Sequence, residues 1–372
     1  MNVRAHGAKG DGVTDNTEAL RAAVRAAVDR KGRYATPPFV YLPHGTYLVS
    51  GPIEGKAGEH GWSGGLRGTD KRPVVEAAGA VLSPASVTAG GGAMDVLPIA
   101  ETPEFAPGSV SDIAVVTDFG ATPNDASDDD ADAFDAAFAS GKPVVLLPNG
   151  TYHVGRAIVV RPGARLLQGT QSALGVREGS LVDPLLRFEG EGEPVTVEHL
   201  WISGKIEHAA SRAVAVRHAD LIKGYTNTPT GTGNVFFDDT IGKPLRIAHP
   251  QRAFGRQVNC EFGDDPLIEN HGGDLWLLGF KTEGQMTVIR NVGGRVELLG
   301  GLFYPLRDVP GDVPLIISDG GAVRANYVMN YKNYPLHLAW RPNPDAPWQT
   351  LRAADIPGRG PALLMYSQPG GR

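Results

Sequence analysis

The second half of the chain is written in short apolar runs whose alternation repeats at a steady interval. GGDLWLLGFKTEG at 272–284 aligns with GGRVELLGGLFYP at 293–305, an offset of 21 residues, and GGAVRANYVMN at 320–330 continues the frame after a longer turn. In that frame Leu275, Val296 and Val323 alternate with Trp276, Glu297 and Arg324, followed by Leu277, Leu298 and Ala325. Upstream, NVFFDD at 234–239 aligns with VNCEFG at 258–263 when Val235 is set on Val258, an offset of 23 residues. Side chains with a period of two, in repeats of about 20–25 residues closed by Gly or Asn turns, predict short strands stacked coil upon coil. The expected fold is all-β, a single-stranded parallel β-helix with inward residues forming one continuous apolar column.

The first 160 residues carry another pattern, and carry it twice. HGAKGDGVTDNTEAL at 6–20 precedes VYLPHGTYLVSGPI at 40–53, and FGATPNDASDDDADAFDAAFASG at 119–141 precedes VVLLPNGTYHVGRAIVV at 144–160. Each copy predicts a Gly-rich turn, an acidic helix start, an Ala-rich helix and β-branched strands around P-x-G-T-Y. In the first, Asp15 and Glu18 make a D-x-x-E capping signal, and Leu20, Val24, Ala27 and Val28 share one helical face. In the second, the acidic run Asp128–Asp132 suits the positive end of a helix dipole, with Phe134 and Phe138 as the apolar stripe. Turns at His44–Gly45 and Asn149–Gly150 separate the strands that follow, and Tyr47 and Tyr152 read as packing residues.

Residues 54–112 show little sustained periodicity and include the run Gly90–Gly91–Gly92. The predicted division is an incomplete first cap-and-strand module at 1–55 and a Gly/Ala/Pro-rich connector at 56–112. A β-helix domain at 113–372 follows, with a C-terminal tail from about 331.

Composition narrows the partners. The 372 residues include 49 glycines and 29 prolines, which favours many short strands and tight turns over long helices. The net charge of −6 lacks the basic surplus of a nucleic-acid binder, so no nucleic-acid partner is expected. A single cysteine, Cys260, excludes an internal disulfide and any multi-cysteine metal site. No apolar run reaches membrane-span length, so no membrane partner is expected, and no signal peptide is read at the start of the chain. The compartment is left open, with a secreted or periplasmic setting favoured.

The segment A-K-G-D-G-V-T-D-N-T-E-A-L at 8–20 and the L-P-x-G-T-Y segments at 42–47 and 147–152 resemble the pectate-lyase-like superfamily of right-handed β-helices. The resemblance implies that the helix caps the N-terminal end of the solenoid and that L-P-x-G-T-Y forms its first coil. The superfamily includes glycoside hydrolases, polysaccharide lyases, epimerases and phage tailspikes, so a polysaccharide or oligosaccharide partner is implied. Two copies in one chain are similar to glycoside hydrolase family 55, with its two tandem β-helices, but here the first copy has no full solenoid behind it. Asp264–Asp265 and His271–Gly272 resemble elements of family 28 polygalacturonases, yet lie too close together for neighbouring coils. No catalytic residue is carried over from either family.

The chemistry is sought instead in the strand register. With Val235, Val258 and Phe280 pointing inward, Asp238, Glu261 and Glu283 point outward three residues further along. They are expected to stack as one column of three carboxyls, of which at least one stays protonated near neutrality. One protonated and one ionised carboxyl is what glycoside hydrolysis requires. Asn259, Lys281 and Tyr304 are expected beside them as substrate-binding groups. Trp276 and Arg324 belong to a second outward column, with Trp276 as an aromatic platform and Glu297–Arg324 read as a cross-coil salt bridge. No cofactor is required by this chemistry, although stacked carboxylates also offer hard oxygen ligands to calcium.

Two rivals stand beside the hydrolase. A lyase acting on a uronate polymer would draw its base and carboxylate-neutralising groups from Lys281, Arg256 and Tyr304. A non-catalytic glycan-binding or tailspike-like solenoid would use the same faces without turnover. The oligomeric state is expected to be a monomer or a homotrimer.

Overall fold

In the computed structural model of the chain, the described residues are 3–28, 46–48, 86–90, 97–242, 245–261, 265–330, 332–355 and 362–367. The His44–Gly45 turn, Asp264 and residues 56–85 of the expected connector lie outside them, as do the side chains of Val24, Ala27 and Val28.

From residue 113 onward the chain winds as a parallel β-helix built on two long sheets. The larger is laid down rung by rung by Ile113–Val115, Val144–Leu147, Leu166–Val176, Val195–Ile202, Val214–Leu221, Val235–Gly242, Arg252–Asn259, Asp274–Thr282, Arg295–Phe303 and Ala322–Met329. The smaller runs from Ile158–Val160 and Leu186–Gly190 up to Pro314–Asp319 and Leu336–Arg341. The pairs within both stacks are parallel. Antiparallel strands appear at the C-terminal end, where Gln349–Arg352 closes the smaller sheet and Ala362–Ser367 pairs with Ala322–Met329 in the larger. Beyond 331, where a tail was expected, the sheets therefore continue. Ser86–Gly90, from the stretch expected as a connector, pairs in parallel with Ala362–Ser367.

Seven successive long strands of the larger sheet, from Leu166–Val176 to Arg295–Phe303, are each bent by one residue in the left-handed region. Gln171, His199, His218, Asp239 and Gln257 have φ between 48° and 59°, and Gly279 and Gly300 take the same place in the following coils. Asp, Asn and His tolerate this region better than other side chains, which suits His199, His218 and Asp239 but not Gln171 and Gln257. The bend divides the sheet into two outward faces and restarts the in–out alternation. In one coil Val195, Val197, Leu200 and Ile202 are buried, with His199 exposed between the two halves.

The interior is one apolar column. Val216, Phe237, Leu277 and Leu298 come from one side of the bend, Leu221, Val258, Phe280 and Phe303 from the other, and Phe188, Ile268, Ile289 and Ile316 from the smaller sheet. At one corner it turns polar. Asn270 and Asn291 are fully buried and stacked, the Nδ2 of Asn270 donating to Asn291 Oδ1 and to Gly273 O at 2.9 Å each. The Nδ2 of Asn291 donates to Gly294 O at 2.8 Å, so the turn carbonyls are satisfied inside the solenoid. Nearby, buried His208 lies 2.9 Å from the Tyr225 hydroxyl, which donates to Gln251. Burial pushes the His208 imidazole down to about 4 and keeps it neutral.

Helix Ala131–Ala139 caps the N-terminal end, burying Phe134 and Ala137 with an edge-on contact from Phe134 to Tyr152. The first copy repeats this cap bond for bond. Ala8 N–H donates to Val3 O and Ala121 N–H to Val116 O; Lys9 N–H donates to Asn16 Oδ1 and Thr122 N–H to Asp130 Oδ1. Leu20, Ala23 and Tyr47 are buried as Phe134, Ala137 and Tyr152 are. The first helix, Thr17–Val28, is not closed by the expected capping box. The Asp15 carboxylate accepts from Thr17 N–H at 2.9 Å, whereas Glu18 pairs with Arg21.

Residues 97–105 run back along the first outward face. Leu97, Ile99 and Ala100 lie over the outward side chains Ala215, Phe236, Phe254 and Trp276. Leu97 N–H donates to the buried Glu297 carboxylate at 3.0 Å, Arg256 donates to Ala100 O and Thr102 Oγ1, and Phe105 lies against Arg165. Part of the stretch expected as a connector with a few irregular strands is thus a strap on the sheet.

Candidate functional site

The second outward face, beyond the left-handed bend, carries no such strap among the described residues. Strand pairing sets Trp201, Asp220, Ile241, Asn259, Lys281 and Leu302 in one straight row, one residue per rung. Two positions further along each coil come Glu261, Glu283 and Tyr304. These side chains point outward because their neighbours Val258, Cys260, Phe280, Thr282 and Phe303 are buried.

Lys281 is the centre of this group. Its Nζ donates to Glu261 Oε1 on the preceding rung and to Glu283 Oε1 at 2.7 Å on its own. The Tyr304 hydroxyl donates to Glu283 Oε1, and Asn259 Nδ2 donates to Glu261 Oε1 at 3.0 Å. The ammonium also lies 5.2 Å from the centre of the Tyr304 ring. Partial burial works against the charge of Lys281, but the hydrogen bonds to Glu261, Glu283 and Tyr304 outweigh it and raise its pKa. The Lys281 hydrogen bond, and after it that of Tyr304, hold the Glu283 carboxyl below its ordinary value. Both glutamates keep solvent-reachable side chains, so the cluster is open to a ligand.

Glu261, Glu283, Asn259, Lys281 and Tyr304 are therefore brought together, as the spacing of 22 residues between the glutamates predicted. Asp238 is not. Val235 pairs with Ala253, and Asp238 sits beside Arg217 and Arg256, on the other side of the bend. The alignment of Val235 with Val258 set a segment before the bend on one after it, because both read as an apolar alternation ending in an acid. The expected column of three carboxyls is thus a pair. With an ammonium between its members, the crowding that would keep one protonated is relieved, and Glu283 is shifted down instead of up.

Trp276 and Arg324 also lie elsewhere. Trp276 is 1% exposed beneath the strap, with the Arg256 guanidinium over its ring and no acceptor for its indole N–H among the described residues. It offers no open platform. Arg324 pairs with Glu297 at 3.6 Å on that covered face, as expected of a cross-coil salt bridge. Arg256 is tied to the strap, apart from Lys281 and Tyr304, so the three groups drawn together for a lyase are split. Among the described residues no group of three or more His, Cys, Asp or Glu side chains is arranged to hold a metal ion, calcium included. No helix among them is long and apolar enough to cross a membrane.

Sequence reasoning passed over the open end of the row. Trp201 is 55% exposed, and Ile222, Ile241 and Leu302 are exposed around it and along the row. On the bend itself His199 stacks on His218 at 5.1 Å, and His218 Nδ1 lies 3.0 Å from Asp239 Oδ2. The missed signal was the residue taking the left-handed turn in each coil, since counting two onward from it gives the outward row directly.

Residues 1–64 match the family described as rhamnogalacturonase A/epimerase, pectate lyase-like. Short stretches are similar to curated proteins. The non-secreted LysM effector LysM15 of Penicillium expansum is 52% identical over 56 residues, 14% of this chain and 4% of that protein. A glucan 1,3-beta-glucosidase of Cochliobolus carbonum is 43% identical over 58 residues, 14% of this chain and 7% of that protein. Alginate lyase 7 of Azotobacter vinelandii is 49% identical over 57 residues, 15% of this chain and 6% of that protein. The chain thus spans only a small fraction of the length of these relatives. Taken together, the matched N-terminal segment and the stacked parallel coils fit a pectate-lyase-like parallel β-helix.

Proposed function

We propose that this protein is a carbohydrate-active enzyme, a glycoside hydrolase that works on a polysaccharide laid along the open face. The observation that carries this reading is the row Glu261–Lys281–Glu283–Tyr304, two carboxylates on adjacent rungs about one ammonium. Adjacent rungs are about 4.8 Å apart, close to the ~5 Å that separates the carboxyls of retaining glycosidases. Relatives named as a glucan 1,3-beta-glucosidase and an alginate lyase, and the family matched at 1–64, support the substrate class.

In this reading Glu283, held ionised by Lys281 and Tyr304, is the nucleophile. Its oxygen bonds to the anomeric carbon as the glycosidic C–O bond breaks, and the leaving oxygen takes a proton from Glu261. Glu261 then takes a proton from water, which attacks the glycosyl ester and frees Glu283.

A second reading, a non-catalytic glycan-binding solenoid, is favoured by the way Lys281 already occupies both carboxylates. Reducing-end release from laminarin, alginate and polygalacturonate decides between them. Release by the wild type, lost in Glu283→Gln and in Glu261→Gln, supports the hydrolase. Unchanged release in both variants overturns the site, and binding without release supports the second reading. Growth of ultraviolet absorbance from an unsaturated product would assign a lyase instead.

A further inference from the structure

The row that contains Lys281 begins four rungs nearer the N-terminal cap, at Trp201. We propose that Trp201 is the platform of a remote sugar subsite, filled only when the bound glycan is long enough to reach it from the Glu261–Glu283 row. The inference rests on a glycan occupying this face, but not on its being cleaved.

The platform is rigid and open. Trp201 sits inside strand Val195–Ile202, paired with Ala173 on one side and Asp220 on the other, and the buried side chains of Leu200 and Ile202 fix its direction. Ala173 brings only a methyl group to the preceding rung, so the indole stays 55% exposed. The large outward aromatics before the bend, Phe236, Phe254 and Trp276, pack instead under Leu97, Ile99 and Ala100. Trp201 is left open on the face that the strap does not cross.

The surface between Trp201 and Lys281 has the character of a sugar track. Going along the row, apolar Trp201 and Ile241 alternate with polar Asp220 and Asn259, and exposed Ile222 lies beside them. A pyranose ring has the same two aspects, a face of C–H groups and an edge of hydroxyls. Sugar faces stack on aromatic and aliphatic side chains, while the hydroxyls find carboxylate and amide partners. The apolar positions are interrupted by a polar one on each alternate rung, which does not suit a protein partner needing a continuous apolar patch. Four rungs span ~19 Å, and a pyranose unit in an extended glycan is about as long as a rung is high, so the subsite lies about four sugars from the acting row.

The test is binding in the full chain carrying Glu283→Gln, which keeps the glycan intact. Intrinsic fluorescence and calorimetry would follow titration with laminari-, mannuronate and galacturonate oligosaccharides from dimer to heptamer. The parent should bind one of these ladders more tightly with length, up to about the pentamer. Trp201→Ala should lose that gain, binding the heptamer roughly tenfold more weakly, about 1.4 kcal/mol, with far less change for the dimer. Trp201→Phe, which keeps a ring, should retain most of it.

Equal affinities of Trp201→Ala and the parent at every length would overturn the proposal, as would failure of the parent to bind any ladder. Length-dependent binding that Trp201→Ala abolishes, in a protein whose wild type shows no turnover, would leave this subsite standing and remove the hydrolase. Turnover that depends on Glu283 with no effect of Trp201 would do the reverse.

Discussion

The two outward faces of the larger sheet are made by the same strands, a few residues apart, yet they are used differently. Before the left-handed bend the outward side chains include Phe236, Phe254, Trp276 and Glu297, and the strap from Leu97 to Thr102 buries them. After the bend they are Trp201, Ile241, Asn259, Lys281, Glu283 and Tyr304, and they face solvent or one another. The first face is an accessory core, stabilising the solenoid by removing aromatic surface from water. The second holds polar groups in fixed positions on a rigid ladder, which is where binding and chemistry are best placed. An outward aromatic residue thus signals nothing until it is known whether another segment lies over it.

The largest effect that sharpens this contrast is on turnover. Glu283→Gln should lower polysaccharide cleavage by about 10²–10⁴-fold with only a small fall in the thermal midpoint, because the pairing it weakens lies on the open face. A thermal midpoint that collapses along with activity would mean that the open face also holds the fold together.

On the covered face the effect should be on stability. Trp276→Ala empties a fully buried site and should cost about 3–5 kcal/mol in denaturant unfolding, whereas Trp201→Ala should stay within about 0.5 kcal/mol. Similar losses from the two tryptophans would break the comparison outright. Leu97→Ala probes the strap itself, and about 2–5 kcal/mol is expected from loss of its side chain under the same measurement. Near-neutrality there would show that the strap does not close an accessory core.

The smallest effect is electrostatic. The Glu283 carboxyl is held below its ordinary value, first by Lys281 and then by Tyr304, so its pairing contributes stability at neutral pH. A depressed carboxyl loses that contribution as pH falls through its lowered value. In Lys281→Met most of that contribution should be absent, so stability should fall less steeply as pH is lowered below the ordinary glutamate range, as read from urea unfolding at a series of acidic pH values. Identical acid limbs in the two proteins would mean that Lys281 does not govern Glu283.

Much of this was legible in the chain. The stacked register of 272–284 on 293–305 holds in the structure residue for residue, with Leu275 on Val296 and Trp276 on Glu297. The duplicated cap was equally readable, because the turn, the helix start and P-x-G-T-Y are local patterns with local hydrogen bonds. The acid pair was found since Val258 and Phe280 lie on the same side of the bend. Asp238 was misplaced because a single left-handed residue resets the alternation, and Asp239 and Gln257 do not announce that as a glycine would.

The sequence by itself determined the coil length, the inward column, the caps and the neighbourhood of Glu261, Glu283, Lys281 and Tyr304. Each follows from side-chain period and from contacts between successive coils. The tertiary structure alone decided which outward face stays open. That depends on residues 97–102 crossing the sheet to meet Glu297, some 200 positions later in the chain. A contact of that reach leaves no periodic trace in either segment, since it is fixed by the surface the finished solenoid presents and not by local pattern.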